Sequence, residues 1–266
     1  MTIFLRELAR NRKQFLIWTV ILILSSVLML AMFPSISEQA DKYTDLLKNS
    51  PKAMMSGLGA NDISFAKVLD FFSYVIPYIT LFASIYAIFL GSEILSKEEE
   101  EKTIDFLLAK PVTRSSIVTA KYLCTLFYIF LFNFFLTAAN YLAIEAVRGT
   151  SAYSLKGFLI IALGMFLVQW TFASIGFFLS VFIVRSKSLT PISLGVVLGT
   201  YFISIASLIS EKLNYLKYFT PFQYINPANI IKHERIEGVY LTILILVIGT
   251  MTSGAYLAYN KKNINA

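Results

Sequence analysis

Cysteine and histidine each occur once in the 266 residues, as Cys124 and His233. One cysteine excludes an internal disulfide, and Cys124 at the start of an apolar run is expected to be a buried free thiol. One histidine, in a segment between apolar runs, leaves a His-based metal site without a second His. The sequence has no G-x-x-x-x-G-K-S/T, so no phosphate loop is expected, and Gly57-Leu58-Gly59 is turn punctuation in a loop. Charge is also scarce: charged residues are 15% of the chain against about 25% in soluble domains.

That scarcity is not uniform. Six windows, 15–33, 71–91, 123–144, 157–184, 189–209 and 239–259, contain no Asp, Glu, Lys, Arg or His. A helix of about 20 apolar residues spans the roughly 30 Å hydrocarbon layer, because it satisfies its own backbone hydrogen bonds where water is absent. The expected fold is therefore all-α and polytopic, a single transmembrane domain over 1–266 with six spans at those windows. Of the remaining segments the longest, 34–70 and 92–122, are too short for an independent core. Any ATP-binding domain is expected on another chain. Basic residues precede the first apolar run as in a signal peptide, but 19 uncharged residues ending in Phe33-Pro34 suit an uncleaved span better. The net charge of +7 flanks membrane spans and does not call for nucleic acid.

Alternating the loops puts 1–14, 92–122, 185–188 and 260–266 on one side, with 13 Lys and Arg in 56 residues. The other side holds 34–70, 145–156 and 210–238, with 10 in 78. Basic residues resist translocation, so the first set and both termini are predicted to be cytoplasmic. In 1–14, Phe4, Leu8 and Phe15, with Leu5 beside them, share a helical face while Arg6, Arg10 and Lys13 take the other. That pattern predicts an amphipathic interfacial helix leading into the first span.

The 92–122 segment, SEILSKEEEEKTIDFLLAKPVTRSSIVTAKY, is the densest in charge. Ile104, Leu107 and Leu108 share a helical face, Pro111 ends that helix, and Thr113 is placed to cap a second one that leads into the third span. The run Glu98 to Glu101 points in four directions about 100° apart and cannot converge on one metal ion. It is either a solvated helix face or a partner-contact surface.

The pattern Glu98-x-Glu100, Thr103, Leu107-Leu108, Pro111-Val112-Thr113-Arg114 and Lys121 resembles the cytoplasmic loop of ABC type 2 permeases, the membrane subunits of ATP-binding-cassette exporters with the type V fold. Lys102 stands where that family usually has Gly. The stretch Leu216 to Tyr224 is similar to the family's outer re-entrant segment, with Tyr218, Pro221 and Phe222 in it. The resemblance implies a permease pairing with a second permease subunit, identical or related, and with nucleotide-binding subunits that hold ATP and Mg; the chain itself carries no cofactor. It implies that Glu98, Glu100, Glu101, Thr103, Leu107, Leu108, Pro111, Thr113 and Arg114 form a coupling helix against the nucleotide-binding subunit. It also implies export of a hydrophobic or amphipathic cargo, such as a peptide antibiotic or toxin, a lipid-linked molecule or a drug, across the cytoplasmic membrane.

Within the spans the polar exceptions are Asn133, Asn140 and Gln169, with Trp170 beside the last. They are candidates for a polar contact with substrate or the pairing subunit, and equally for ordinary interhelical hydrogen bonds. Ion coupling would need ionisable groups at membrane depth, and the windows contain none. Two other readings of a six-span chain are a scaffold or sensor subunit without transport and a polytopic lipid-modifying enzyme. The spans offer the enzyme Ser and Thr but no base.

Overall fold

The computed structural model describes residues 3–40, 42, 64–101, 113–183 and 185–262. Six helices are long and apolar enough to cross a membrane: α1 (Ile3–Ala31), α3 (Val68–Glu100), α4 (Arg114–Val147), α5 (Leu155–Phe182), α6 (Ser186–Ile209) and α9 (Gly238–Lys261). Short helices fill the connections. They are α2 (Phe33–Ser37), a 3-10 segment (Glu211–Phe219), α7 (Pro221–Tyr224) and α8 (Pro227–His233). The chain is thus an all-α polytopic membrane protein.

Most of the long helices outrun their uncharged windows. α3 continues nine residues past Gly91, and α4 begins nine before Leu123. Thr113 caps α4 as its position predicts, with its hydroxyl accepting from the Ser116 N–H at 3.2 Å. The expected entry helix is present as the first turns of α1, unbroken into the span. Its apolar face points inward, since Phe15 is buried and Phe4 and Leu8 pack against the core. Yet Glu7 and Asn11 lie in that same face, with Thr19 and Ser26 further along it. Lipid accounts for this inversion: apolar side chains such as Leu16, Ile21, Leu24 and Leu28 lose nothing by facing hydrocarbon, so the inward face is free to carry polar groups.

α3 is the axis of the bundle. In its most apolar stretch 72% of residues are buried, against 11% in α9. The closest neighbour of α3 is α5, and two glycines permit the approach. A Cβ on Gly91 would stand 2.2 Å from the Ala173 carbonyl oxygen, and one on Gly176 would stand 2.3 Å from that of Ile88. Each helix offers a glycine where the other presents backbone, so the two main chains touch without side chains between them. α1 runs beside α4, where the Phe15 and Tyr128 rings meet at 5.0 Å.

Both the start of α1 and the end of α9 come to the same end of the bundle, as Arg10 pairs with Glu101 and Arg114 donates to the Lys262 carbonyl at 2.7 Å. At the opposite end α7 and α8 form a roof. Ile225 rests on Gly164 of α5, where a Cβ would come within 2.3 Å of its Cγ2. Tyr224 stacks on Tyr240 of α9 at 5.1 Å and 11°. The side chain of Gln223 donates to the Ser204 hydroxyl of α6 at 2.7 Å. Here lie all three residues singled out for the re-entrant segment: the Tyr218 carbonyl accepts from the Tyr224 hydroxyl, Pro221 starts α7, and Phe222 packs between the rings of Phe172 and Tyr201.

Because backbone is the obstacle at Gly176, Gly176→Ala should lower the unfolding midpoint in detergent, with a loss of about 1–3 kcal/mol typical of overpacking. Gly249→Ala, where an added Cβ meets nothing within 4 Å, should leave it unchanged or raise it. Equal effects of the two changes would contradict the close approach of α3 and α5.

Candidate functional site: a polar joint at the end bearing both termini

Lys121 lies on a stripe of α4 with Ile117, Cys124 and Tyr128, all buried, and is itself fully buried. An ammonium carries three N–H donors and no acceptor, so burial requires three oxygens around it. They are present. Nζ is 3.0 Å from Glu7 Oε1 of α1 and 2.5 Å from Glu98 Oε2 of α3, and it donates to the Ile94 carbonyl. Three helices are bound by one cation.

Further contacts surround it. Arg10, three residues after Glu7, pairs with Glu101, three residues after Glu98. The Tyr128 hydroxyl donates to the Leu8 carbonyl. Lys262, just beyond α9, sits 2.7 Å from both carboxylate oxygens of Glu99. Arg114 reaches the carbonyls of Tyr259, Asn260 and Lys262, which places a cation at the C-terminal end of the α9 dipole. A polar seam then climbs between α4 and α9. Ser115 meets Asn260, Thr119 accepts from Tyr256 at 2.8 Å, and the Tyr122 hydroxyl accepts from Thr252 at 2.9 Å.

These contacts change the reading of the acidic run. Glu98 is 2% exposed and held by Lys121, so its carboxylate is committed inside the bundle and is not offered to a partner. Glu99 joins the last helix. Glu100 and Glu101 are exposed, with Glu101 tied to Arg10. Arg114 is engaged with the carbonyls after α9. Thr103, Leu107, Leu108 and Pro111 lie outside the described residues, which stop at Glu101 and resume at Thr113 on either side of them.

The four polar residues of the spans are spent on each other and on their neighbours. Asn133 and Gln169 exchange amide hydrogen bonds of 2.8 and 3.2 Å between α4 and α5. Asn140 accepts from Ser26 of α1 at 2.5 Å. The Trp170 indole donates to the Tyr122 hydroxyl at 2.8 Å, and Ser174 lies 3.1 Å from the same oxygen. Asn133, Asn140 and Gln169 are thus buried and partnered inside one subunit, as interhelical hydrogen bonds of the ordinary structural kind would be. Among the described residues no group of three or more His, Cys, Asp or Glu is placed to hold a metal.

In the sequence Lys121 stands out only as a member of a pattern, and Glu7, Asn260 and Lys262 do not stand out at all. The signal for Lys121 was a charge on an otherwise apolar helical stripe. Glu7 shares the helical face of Phe4 and Leu8, but that face was read as an interfacial one, and nothing in it marked the acid as buried.

A sequence model described as an ABC-2 family transporter protein matches residues 1–264. The chain belongs to the ABC-2 transporter family. A comparison with curated proteins finds no match. As an ABC-2 family protein it is a multi-pass permease subunit, of a kind that works in general with an ABC ATP-binding partner. The polar joint is therefore the part of this permease that frames the 102–112 segment, with α3 leading into it and α4 leading out.

At the other end, Glu234 accepts from the Ser154 hydroxyl at 2.5 Å and pairs with Lys156 at 3.2 Å. Those two donors hold its carboxyl below the usual carboxylate range. A lowered pKa means the link persists above the ordinary carboxylate range and is lost as pH falls through the lowered value.

Removing Lys121 alone would strand two buried carboxylates, so Lys121→Met should cost about 3–5 kcal/mol. Replacing the triad together, with Glu7→Leu and Glu98→Leu added, should restore most of that loss, since apolar substitutes of similar volume often match a buried ion pair. Thermal unfolding of the three-site and one-site variants in detergent measures the difference. A three-site variant no more stable than Lys121→Met would show that the triad is not one unit.

Proposed function

We propose that this permease is the membrane subunit of an exporter, working as a dimer with two ATP-binding subunits and driven by their closure on ATP. The observation that carries the reading is the joint itself. Four chain segments that are remote in sequence, around residues 7–10, 94–101, 114–121 and 256–262, are cross-linked by charge-assisted bonds on both sides of the 102–112 segment. Force applied to that segment would reach α1, α3, α4 and α9 together instead of bending one helix end. Such an arrangement suits a coupling element and has little use in a scaffold that transmits no force. It equally disfavours the lipid-modifying enzyme, because the buried carboxylates of Glu7 and Glu98 are both bound to Lys121 inside the bundle and do not face a substrate.

In this reading the end bearing both termini is cytoplasmic, in line with its higher density of Lys and Arg. Glu100 and Glu101 border the surface presented to the ATP-binding subunit, whereas Glu98 and Arg114 act within the permease. The chain supplies no phosphate loop, so ATP and Mg belong to the partner. The cargo is hydrophobic or amphipathic, in keeping with the six uncharged windows of the sequence.

Affinity purification of the chain in mild detergent should recover an ABC ATP-binding subunit, and the isolated chain should not hydrolyse ATP. In the reconstituted complex, Glu100→Lys should reduce transport at least ten-fold while ATPase activity and membrane insertion persist. Arg114→Glu should have the same effect on coupling and should also loosen the end of α9, seen as faster proteolysis near Asn260. Recovery of no ATP-binding subunit would sink the exporter reading. Unaltered transport in Glu100→Lys would remove that residue from the contact surface.

A further inference from the structure

At the end opposite the termini, α3, α5 and α6 enclose a cavity of about 220 Å³ beneath the roof of α7 and α8. Its floor is apolar: Ile76, Ile161, Met165 and Val168 are each no more than 2% exposed. Its mouth is polar, built by Asn226, Asn229 and Lys232, with Asn229 and Lys232 exposed. The wall between carries Ser73 and Pro77 of α3. Pro77 has no N–H, so the carbonyl of Ser73, four residues earlier, lacks its helical donor. The Ser73 hydroxyl does not replace it, since it donates to the Asp70 carbonyl at 2.6 Å.

Size and polarity together define an occupant. An apolar cavity of about 150 Å³ accepts benzene, so this space admits a ring with a few further heavy atoms, and not a whole phospholipid. Water alone would leave the four floor side chains wet, and displacing poorly held water from an apolar wall favours a ligand. No acidic residue lines the space among the described residues, and the one charged liner, Lys232, is an exposed side chain at the mouth. The charge stays in water, and the apolar interior favours a neutral ligand. A hydroxyl or amide on the ligand would find the Asn229 side chain at the mouth, and the amide N–H donors of Asn226, whose oxygen already accepts from the Asn229 N–H at 3.3 Å.

We propose that this cavity is a binding site for a small neutral amphipath, its ring or short chain on the Ile76–Met165–Val168 floor and its hydrogen-bonding head at Asn226 and Asn229. Roof and floor are held by separate contacts, Gln223 to Ser204 and Ile225 on Gly164, so the site is formed before a ligand arrives. Binding here requires neither ATP nor a second subunit, and the proposal stands apart from the exporter reading.

The test uses the full chain in phosphatidylcholine and phosphatidylglycerol nanodiscs. The probe is the photoreactive 4-(trifluoromethyldiazirinyl)benzyl alcohol, with labelled peptides identified by mass spectrometry. Labelling should be saturable and fall within 73–80, 161–168 and 201–208. Met165→Trp, which fills the floor, should reduce it at least ten-fold, and the exposed Asn229→Ala should raise the half-saturating concentration at least three-fold. Labelling that never saturates, or that marks only lipid-facing residues such as Leu24 and Phe130, would overturn the proposal. So would saturable labelling insensitive to both substitutions. Should Met165→Trp fail to fold, the map on the unaltered chain and the Asn229→Ala shift decide the matter.

Discussion

A single ammonium group without water is the constraint around which one end of this protein is organised. Lys121 Nζ has three donors and no solvent, and the cost of stranding it fixes Glu7, Ile94 and Glu98 about one point. Two carboxylates facing one cation leave an excess negative charge, and Arg10 stands beside them, bound to Glu101. The register of α1 against α3 and α4 follows from that set. Apolar contacts slide at little cost in a bilayer, where lipid tails are as good a neighbour as leucine, whereas a buried ion cluster admits one alignment.

A second contact reinforces the first. Gly91 and Gly176 bring α3 and α5 into backbone contact with no charge involved, one turn from the Ile94 carbonyl that Lys121 holds. Steric closeness and electrostatics therefore act toward the same end of the bundle. Polar pairs continue from there, Tyr122 with Trp170 and Thr252 and, deeper, Asn133 with Gln169, joining α4 to α5 and α9 within the subunit. Each satisfies a group that hydrocarbon would penalise, and each such bond is worth only about 1 kcal/mol.

What the sequence made legible follows from the physics of each feature. Spans announce themselves because a helix in water needs a polar face, and an uncharged run of about twenty residues leaves it none. Each of the six windows overlaps one of the long helices. The cap at Thr113 and the face of α1 were legible because they are local. The joint was not. Its members are separated by up to about 250 positions, and hydrophobic-face reasoning built for water assigns Glu7 and Lys121 to the outside. The uncharged windows also misled at their edges, since α3 and α4 each run nine residues further and bury Glu98 and Lys121 there. Glu98 and Glu100 differ by two residues in one helix, yet one is locked and the other exposed. Only helical phase relative to α1 and α4 separates them, and no composition count contains that phase.

The seam between α4 and α9 bears on the order in which the molecule is completed. Residues 7, 94, 98 and 121 all precede the fourth span, so the Lys121 cluster can close while later parts of the chain are still being synthesised. Arg114 and Glu99 cannot be satisfied so early. Their partners are the carbonyls of residues 259–262 and the side chain of Lys262, the last residues of the described chain to leave the ribosome. The charged edge formed by Arg114 and Glu99 is therefore covered only when α9 is in place, and a chain lacking the sixth span would display it.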